Sequence, residues 1–207
     1  KEMLPVLDKP VIQYVVEEAL AAPGCDECVI VTSHSKPLIE QYFSPDPAYV
    51  QMLRGRGKDA YADACQHAGD LPVSYIYQQS PRGLGDAVLC AAPATGDDPF
   101  YVLLGDVVVP DKAILPKMQE VSAAHGGASV IAVIAVPDDE VSRFGIIGGT
   151  RIGSLAGAEG VADVEPGAVW EVTSMIEKPA LQDAPSHLAI FGRYLLSAGV
   201  MRLLATQ

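Results

Sequence analysis

Basic residues are scarce in this chain: 14 lysines and arginines stand against 26 acids in 207 residues, a formal charge of -12. A nucleic acid or an anionic membrane surface needs a basic face that releases counterions, so neither is expected as a partner. Any phosphate must be held by a few local groups. Cysteine is also thin, four residues without paired spacing, which excludes a disulfide scaffold and makes reduced thiols the default. Long apolar runs are missing as well. No stretch approaches the roughly 18 to 20 residues of a membrane span, and no basic-then-apolar leader opens the chain, so a cytoplasmic protein is expected. The 19 glycines and 16 prolines fall short of a low-complexity composition, and no repeat or linker marks a boundary. What remains is 49% apolar content over a length that suits one sizeable α/β domain.

Asp8, Lys9 and Pro10 precede VIQYVVEEALAA, in which Val11, Val15, Ala19 and Ala22 recur at helical spacing. A helix capped by Asp8, with Pro10 in its first turn and Gly24 after its end, is predicted. CVIVTS then reads as a strand, residues 36–69 as polar and helix-compatible, and PVSYIYQ as a second strand. Helix 85–92, strand 101–104, helix 113–124 and strand 128–136 continue the alternation, which argues for a mostly parallel sheet. After Pro137 the texture changes. FGIIGGTRIGSLAG reads as a glycine-rich hairpin, AVWEVTSMIEKP as a long strand, and HLAIFGRYLLS as a strand leading into a last helix. One mixed α/β domain over 1–207, with an antiparallel hairpin region in its second half, is the expectation.

Three segments carry chemistry. FYVLLGDVVVPD (residues 100–111) is a short apolar run ending in Gly105 and Asp106. Such a run suits a strand buried on both faces, and Asp106 then stands at its carboxyl end, where open α/β sheets bind ligands. An acid there usually holds a metal. QQSPRGLGDAVLCA (residues 78–91) is a glycine turn opening a helix, and the chain begins with KEMLPVLDKP.

Taken with DKPVIQYVVEEAL, GLGDAVLCA, LLGD, EKP and LAIFGRY in this order, KEMLP makes the chain resemble the sugar-1-phosphate nucleotidylyltransferases. Within them it is most similar to the bacterial UTP:glucose-1-phosphate uridylyltransferases. The resemblance implies a Rossmann-like three-layer nucleotidyltransferase fold and transfer of a uridylyl group from UTP to glucose 1-phosphate, giving UDP-glucose and pyrophosphate. Such a reaction needs positioning and charge neutralisation more than a covalent nucleophile. It makes Asp106 the ligand of Mg2+, Lys1 the lysine that meets the transferred phosphate, and Glu2 a residue of the base pocket. Gln78 and Gly83 would read the pyrimidine, an amide offering both donor and acceptor and a glycine admitting close approach. Gly145 would let the hexose pack on backbone, Glu177 would bond sugar hydroxyls and Lys178 the sugar phosphate. A cytoplasmic homo-oligomer is implied.

The departures are specific. The glycine-rich GxGTRxxPxTK loop would precede Lys1, and a second metal-binding carboxylate would follow Gln207, so the chain is expected to lack both ends of the natural protein. Asp86 stands where uridylyl members often carry histidine, and Gly105 where several carry proline. A dTDP-glucose pyrophosphorylase and an inactive regulatory or interaction domain of the same family are the alternatives. Other features are read as structural. GGTR (residues 148–151) echoes the nucleotide loop but falls in the hairpin. Cys25 and Cys28 form one CxxC without a second pair, Arg82 reads as solvated surface, and the four histidines show no ligand spacing.

Overall fold

A computed structural model describes residues 1–110, 113–155 and 167–206. The first half runs β1 (Pro5–Val6), β2 (Lys9–Pro10), α1 (Val11–Leu20), β3 (Cys28–Thr32), α2 (Pro37–Phe43), α3 (Pro47–Gly55), α4 (Asp59–Asp70), β4 (Val73–Tyr77), α5 (Leu84–Cys90) and α6 (Ala92–Thr95). The second runs β5 (Phe100–Leu103), α7 (Ile114–Ala124), β6 (Val130–Ala135), β7 (Gly145–Ser154), β8 (Ala168–Glu177), β9 (Leu188–Leu196) and α8 (Gly199–Leu204). The chain gathers into two compact units. Lys1–Asp98, Gly105–Pro110 and Ala198–Gln207 form the first, Pro99–Leu104 and Asp111–Ser197 the second.

In the first unit α1 buries Val11, Ile12, Val15 and Val16, the one-sided apolar spacing of its sequence. Ile12 and Val16 join Ile30 of β3 and Ile39 and Phe43 of α2 in one core. The predicted Asp8 cap does not form. Pro5–Val6 and Lys9–Pro10 pair instead as a short antiparallel ladder, which holds Asp8 in the turn, where it accepts from the Tyr14 hydroxyl at 3.2 Å. Residues 36–69 resolve into three helices, and Asp46 caps α3 by accepting from the Tyr49 N–H at 2.9 Å, ahead of Pro47. β3 and β4 then pair in parallel from Cys28↔Val73 to Thr32↔Tyr77, so both carboxyl ends open at one edge.

In the second unit β9 is the centre, pairing antiparallel with β5, β6 and β7, while β7 and β8 form the hairpin. The mixed α/β class is as expected, and the antiparallel texture of the second half with it. The predominance of parallel ladders is corrected: among the described residues only β3–β4 is parallel. β5 and β6 keep the common direction that the alternation implies, but β9 inserts between them. β5 also differs, half-buried at every position, with β9 as its one strand neighbour among the described residues. Val136, Val141, Ile146 and Ala189 form the core beneath the hairpin. Ala156 and Gly157, the far end of the glycine-rich segment, lie outside the described residues, as does Gln207.

Candidate active site

The first five residues are tied to the start of α1. Ile12 donates its N–H to the Glu2 carbonyl at 2.9 Å and Val11 to the Leu4 carbonyl at 3.0 Å, which satisfies two helix-entry donors that Pro10 and its extended backbone leave open. This fixes the backbone from which the Lys1 and Glu2 side chains extend. The Lys1 ammonium donates to Asp106 Oδ2, and that hydrogen bond, with the Asp106 charge, raises the lysine above its ordinary value. Glu2 is the less exposed of the two acids, its side chain 18% accessible against 30% for Asp106. Its Oε1 accepts from Lys36 Nζ at 2.9 Å. Burial would push the Glu2 carboxyl up, but Lys36 and a backbone N–H together hold it at about 2.

Gly105 explains how Asp106 arrives there. A Cβ on Gly105 would stand 2.9 Å from Ile12 Cδ1 and 3.8 Å from Glu2 Cγ, so a larger residue there would have to push the buried Ile12 side chain aside. Two acids and two bases therefore alternate within one small cluster. Among the described residues no three His, Cys, Asp or Glu side chains gather as a ready-made metal cage. Asp106 alone still fits magnesium, a hard cation that takes one or two carboxylates and completes its shell with phosphate and water.

Gln78 lies just past β4, its N–H bonded to the Thr32 carbonyl at 2.8 Å, and its amide Nε2 donates to Asp86 Oδ2 at 2.5 Å. Arg82 binds the other Asp86 oxygen at 2.6 Å while its side chain stays 76% exposed, so it is surface as the sequence reading has it, with an ion pair added. Gly83 leads into α5 at φ 103° and ψ -178°, a backbone state that side chains rarely adopt. Nearby, the His34 ring stacks on Tyr77 at 4.1 Å and 8°.

In the second unit the β7–β8 register sets Gly145 opposite Glu177. A Cβ at Gly145 would approach Glu177 Oε2 and Ile190 Cδ1 to 3.1 Å each. Lys178 follows at φ 47°, held by its N–H to the Phe144 carbonyl at 3.0 Å, with Nζ 3.6 Å from Glu177 Oε1. A lysine in that backbone region is strained, and such strain is retained where surroundings demand it. Both side chains are exposed.

The structure thus groups Lys1, Glu2 and Asp106, orients Gln78 beside the Gly83 turn, and groups Gly145, Glu177 and Lys178. Sequence reasoning missed Lys36, though it follows a strand end as Asp106 does, and it missed Tyr194, whose phenol is raised by burial and by the Glu177 charge. GGTR lies within β7 as a hairpin strand. Cys25 and Cys28 are free, and burial pushes Cys28 up to about 11, as for structural thiols.

Comparison with known proteins points one way. Residues 1–207 match the family described as nucleotidyl transferase. Over its whole length the chain is 39% identical to a UTP–glucose-1-phosphate uridylyltransferase of Bacillus subtilis (strain 168), covering 65% of that protein. It is 40% identical to one from Streptococcus pneumoniae serotype 4, covering 66%. The chain therefore spans slightly under two thirds of these relatives. A UTP-bound UGPase from Acinetobacter baumannii superposes with TM-score 0.82 at 34% identity, over 99% of this chain and 69% of that one. A UDP-glucose pyrophosphorylase in complex with UDP-glucose gives 0.76 at 33%, over 99% and 70%.

Proposed function

The chain belongs to the nucleotidyl transferase family, and from that premise we propose that it transfers the uridylyl group of UTP to glucose 1-phosphate. The phosphate oxygen of the sugar attacks the α-phosphorus, the bond to the departing pyrophosphate breaks, and UDP-glucose forms. No covalent enzyme intermediate is needed. Lys1 bears on the transferred phosphate and neutralises charge that grows there. Glu2, kept ionised beside Lys36, accepts from a base N–H, and Gln78 and the Gly83 turn receive the same base. Lys178 holds the sugar phosphate, and Glu177 accepts from sugar hydroxyls over the bare backbone of Gly145. Asp106 would hold a magnesium ion, which supplies charge neutralisation to phosphate oxygens in a protein of net charge -12. On this reading residues 1–207 are one nucleotidyltransferase domain of a cytoplasmic homo-oligomer without nucleic-acid or membrane partners.

The observation that carries the proposal is the convergence of Lys1 and Asp106, from blocks 105 positions apart. The uridylyl choice is supported by the relatives of 39 and 40% identity, both named for UTP and glucose 1-phosphate. A coupled pyrophosphate-release assay on the full-length protein, with glucose 1-phosphate and each of UTP, dTTP, CTP and GTP, tests it. UTP should support the fastest turnover. Faster turnover of dTTP would assign the chain to the thymidylyl branch, and silence toward all four would leave the inactive, regulatory reading.

A further inference from the structure

A glutamine amide can point either way round, and at Gln78 its neighbours choose. Nε2 donates to Asp86 Oδ2 at 2.5 Å, and Asp86 Oδ1 is taken by Arg82 Nη2 at 2.6 Å. An ionised carboxylate only accepts, so the flipped amide would set Gln78 Oε1 against Asp86 Oδ2, oxygen against oxygen. Asp86 remains ionised at neutral pH: the Gln78 hydrogen bond, opposed by some burial and helped by Arg82, holds its carboxyl below the usual range. The backbone is fixed as well. Gln78 is anchored by its N–H to Thr32, and Asp86 sits in the first turn of α5 with its side chain 14% exposed. What Gln78 has left is Oε1 and one amide hydrogen.

We infer that Asp86, braced by Arg82, is a positioning residue that makes Gln78 present its carbonyl oxygen to the nucleotide base, and so selects bases with a ring N–H over bases with a bare ring nitrogen. This rests on the nucleotidyl-transfer reading above. Uracil and thymine carry a hydrogen on N3, which an amide oxygen accepts; cytosine carries a lone pair there, which the same oxygen repels.

The test is kcat/KM for UTP and for CTP, measured on the full-length protein with saturating glucose 1-phosphate. In Asp86→Asn the neighbour donates as readily as it accepts, both orientations of Gln78 open, and the UTP:CTP ratio should fall about tenfold, the value of one hydrogen bond turned from met to opposed. The change should lie in the nucleotide KM values, with KM for glucose 1-phosphate unmoved. Asp86→Glu keeps a pure acceptor and should retain the ratio. Asp86→Ser, whose hydroxyl also donates or accepts, repeats the test if the asparagine variant does not fold. An unchanged ratio in either neutral variant, with UTP still turned over, overturns the inference alone. A wild-type protein that releases no pyrophosphate from UTP overturns the underlying reading and the inference with it.

Discussion

The Lys1 ammonium donates to the Asp106 carboxylate across 105 positions of sequence. The lysine is mostly exposed, and an exposed ion pair contributes about 0–1 kcal/mol, too little to account for bringing these two segments together. Two oppositely charged groups held side by side do suit a ligand that needs both, a phosphate for the lysine and its counter-cation for the carboxylate. Stability and activity should therefore separate at this pair.

Asp106→Asn is the clean separation. The amide keeps the volume and loses the charge that a divalent cation requires. Thermal unfolding should move little, while pyrophosphate release in the full-length protein should fall by about 10²-fold or more. Undiminished release would remove Asp106 from the site.

Gly105 makes a sharper structural prediction, because its crowding has one named cause. Gly105→Ala places a methyl 2.9 Å from Ile12 Cδ1, and Ile12 is itself buried, so the variant should lose about 1–3 kcal/mol by denaturant unfolding. Ile12→Val deletes that atom. In the valine background the alanine should cost clearly less, and a strictly additive double-mutant cycle would show that the strain lies elsewhere.

Local patterns were the legible part of this chain. The one-sided apolar spacing of α1, the paired strands of the hairpin and the strand-end position of Asp106 all follow from periods of a few residues. The insertion of β9 between β5 and β6 does not, since a strand's partner is set by packing over a long separation that no local pattern encodes. The same holds for Lys36 on Glu2, and for Arg193, fully buried within the apolar LAIFGRYLL run. Gly105 and Gly145 stood out as glycines, but their reasons are single atoms on distant residues, Ile12 Cδ1 for one and Glu177 Oε2 with Ile190 Cδ1 for the other.

Glu2 gives a pH signature. Its folded value of about 2 lies below the ordinary 4.5, so its contribution to stability is present above pH 4.5 and is lost as pH falls from there toward 2. Lys36→Met removes the ammonium that offsets burial. The Glu2 carboxylate, followed by NMR, should then titrate at higher pH, and the stability lost between pH 4.5 and 2 should shrink. A midpoint that stays at about 2 would show that the backbone N–H and the chain's terminal ammonium, 3.3 Å from Glu2 Oε2, suffice without Lys36.

Lys178 offers the last separation, on the sugar side. Its backbone is held at φ 47° and its ammonium lies 3.6 Å from Glu177 Oε1, so the side chain and the turn can be altered independently. Lys178→Ala removes the charge and keeps a Cβ in the strained turn; it should raise KM for glucose 1-phosphate about tenfold or more while the UTP KM moves little, as expected for loss of a charged hydrogen bond to phosphate. Lys178→Gly removes the same charge and relieves the backbone, so it should be the more stable of the two by thermal unfolding and bind sugar phosphate as poorly. If the glycine variant binds glucose 1-phosphate like the wild type, the ammonium is not the contact and the turn alone shapes the site. If both variants weaken UTP more than glucose 1-phosphate, Lys178 belongs to the nucleotide instead.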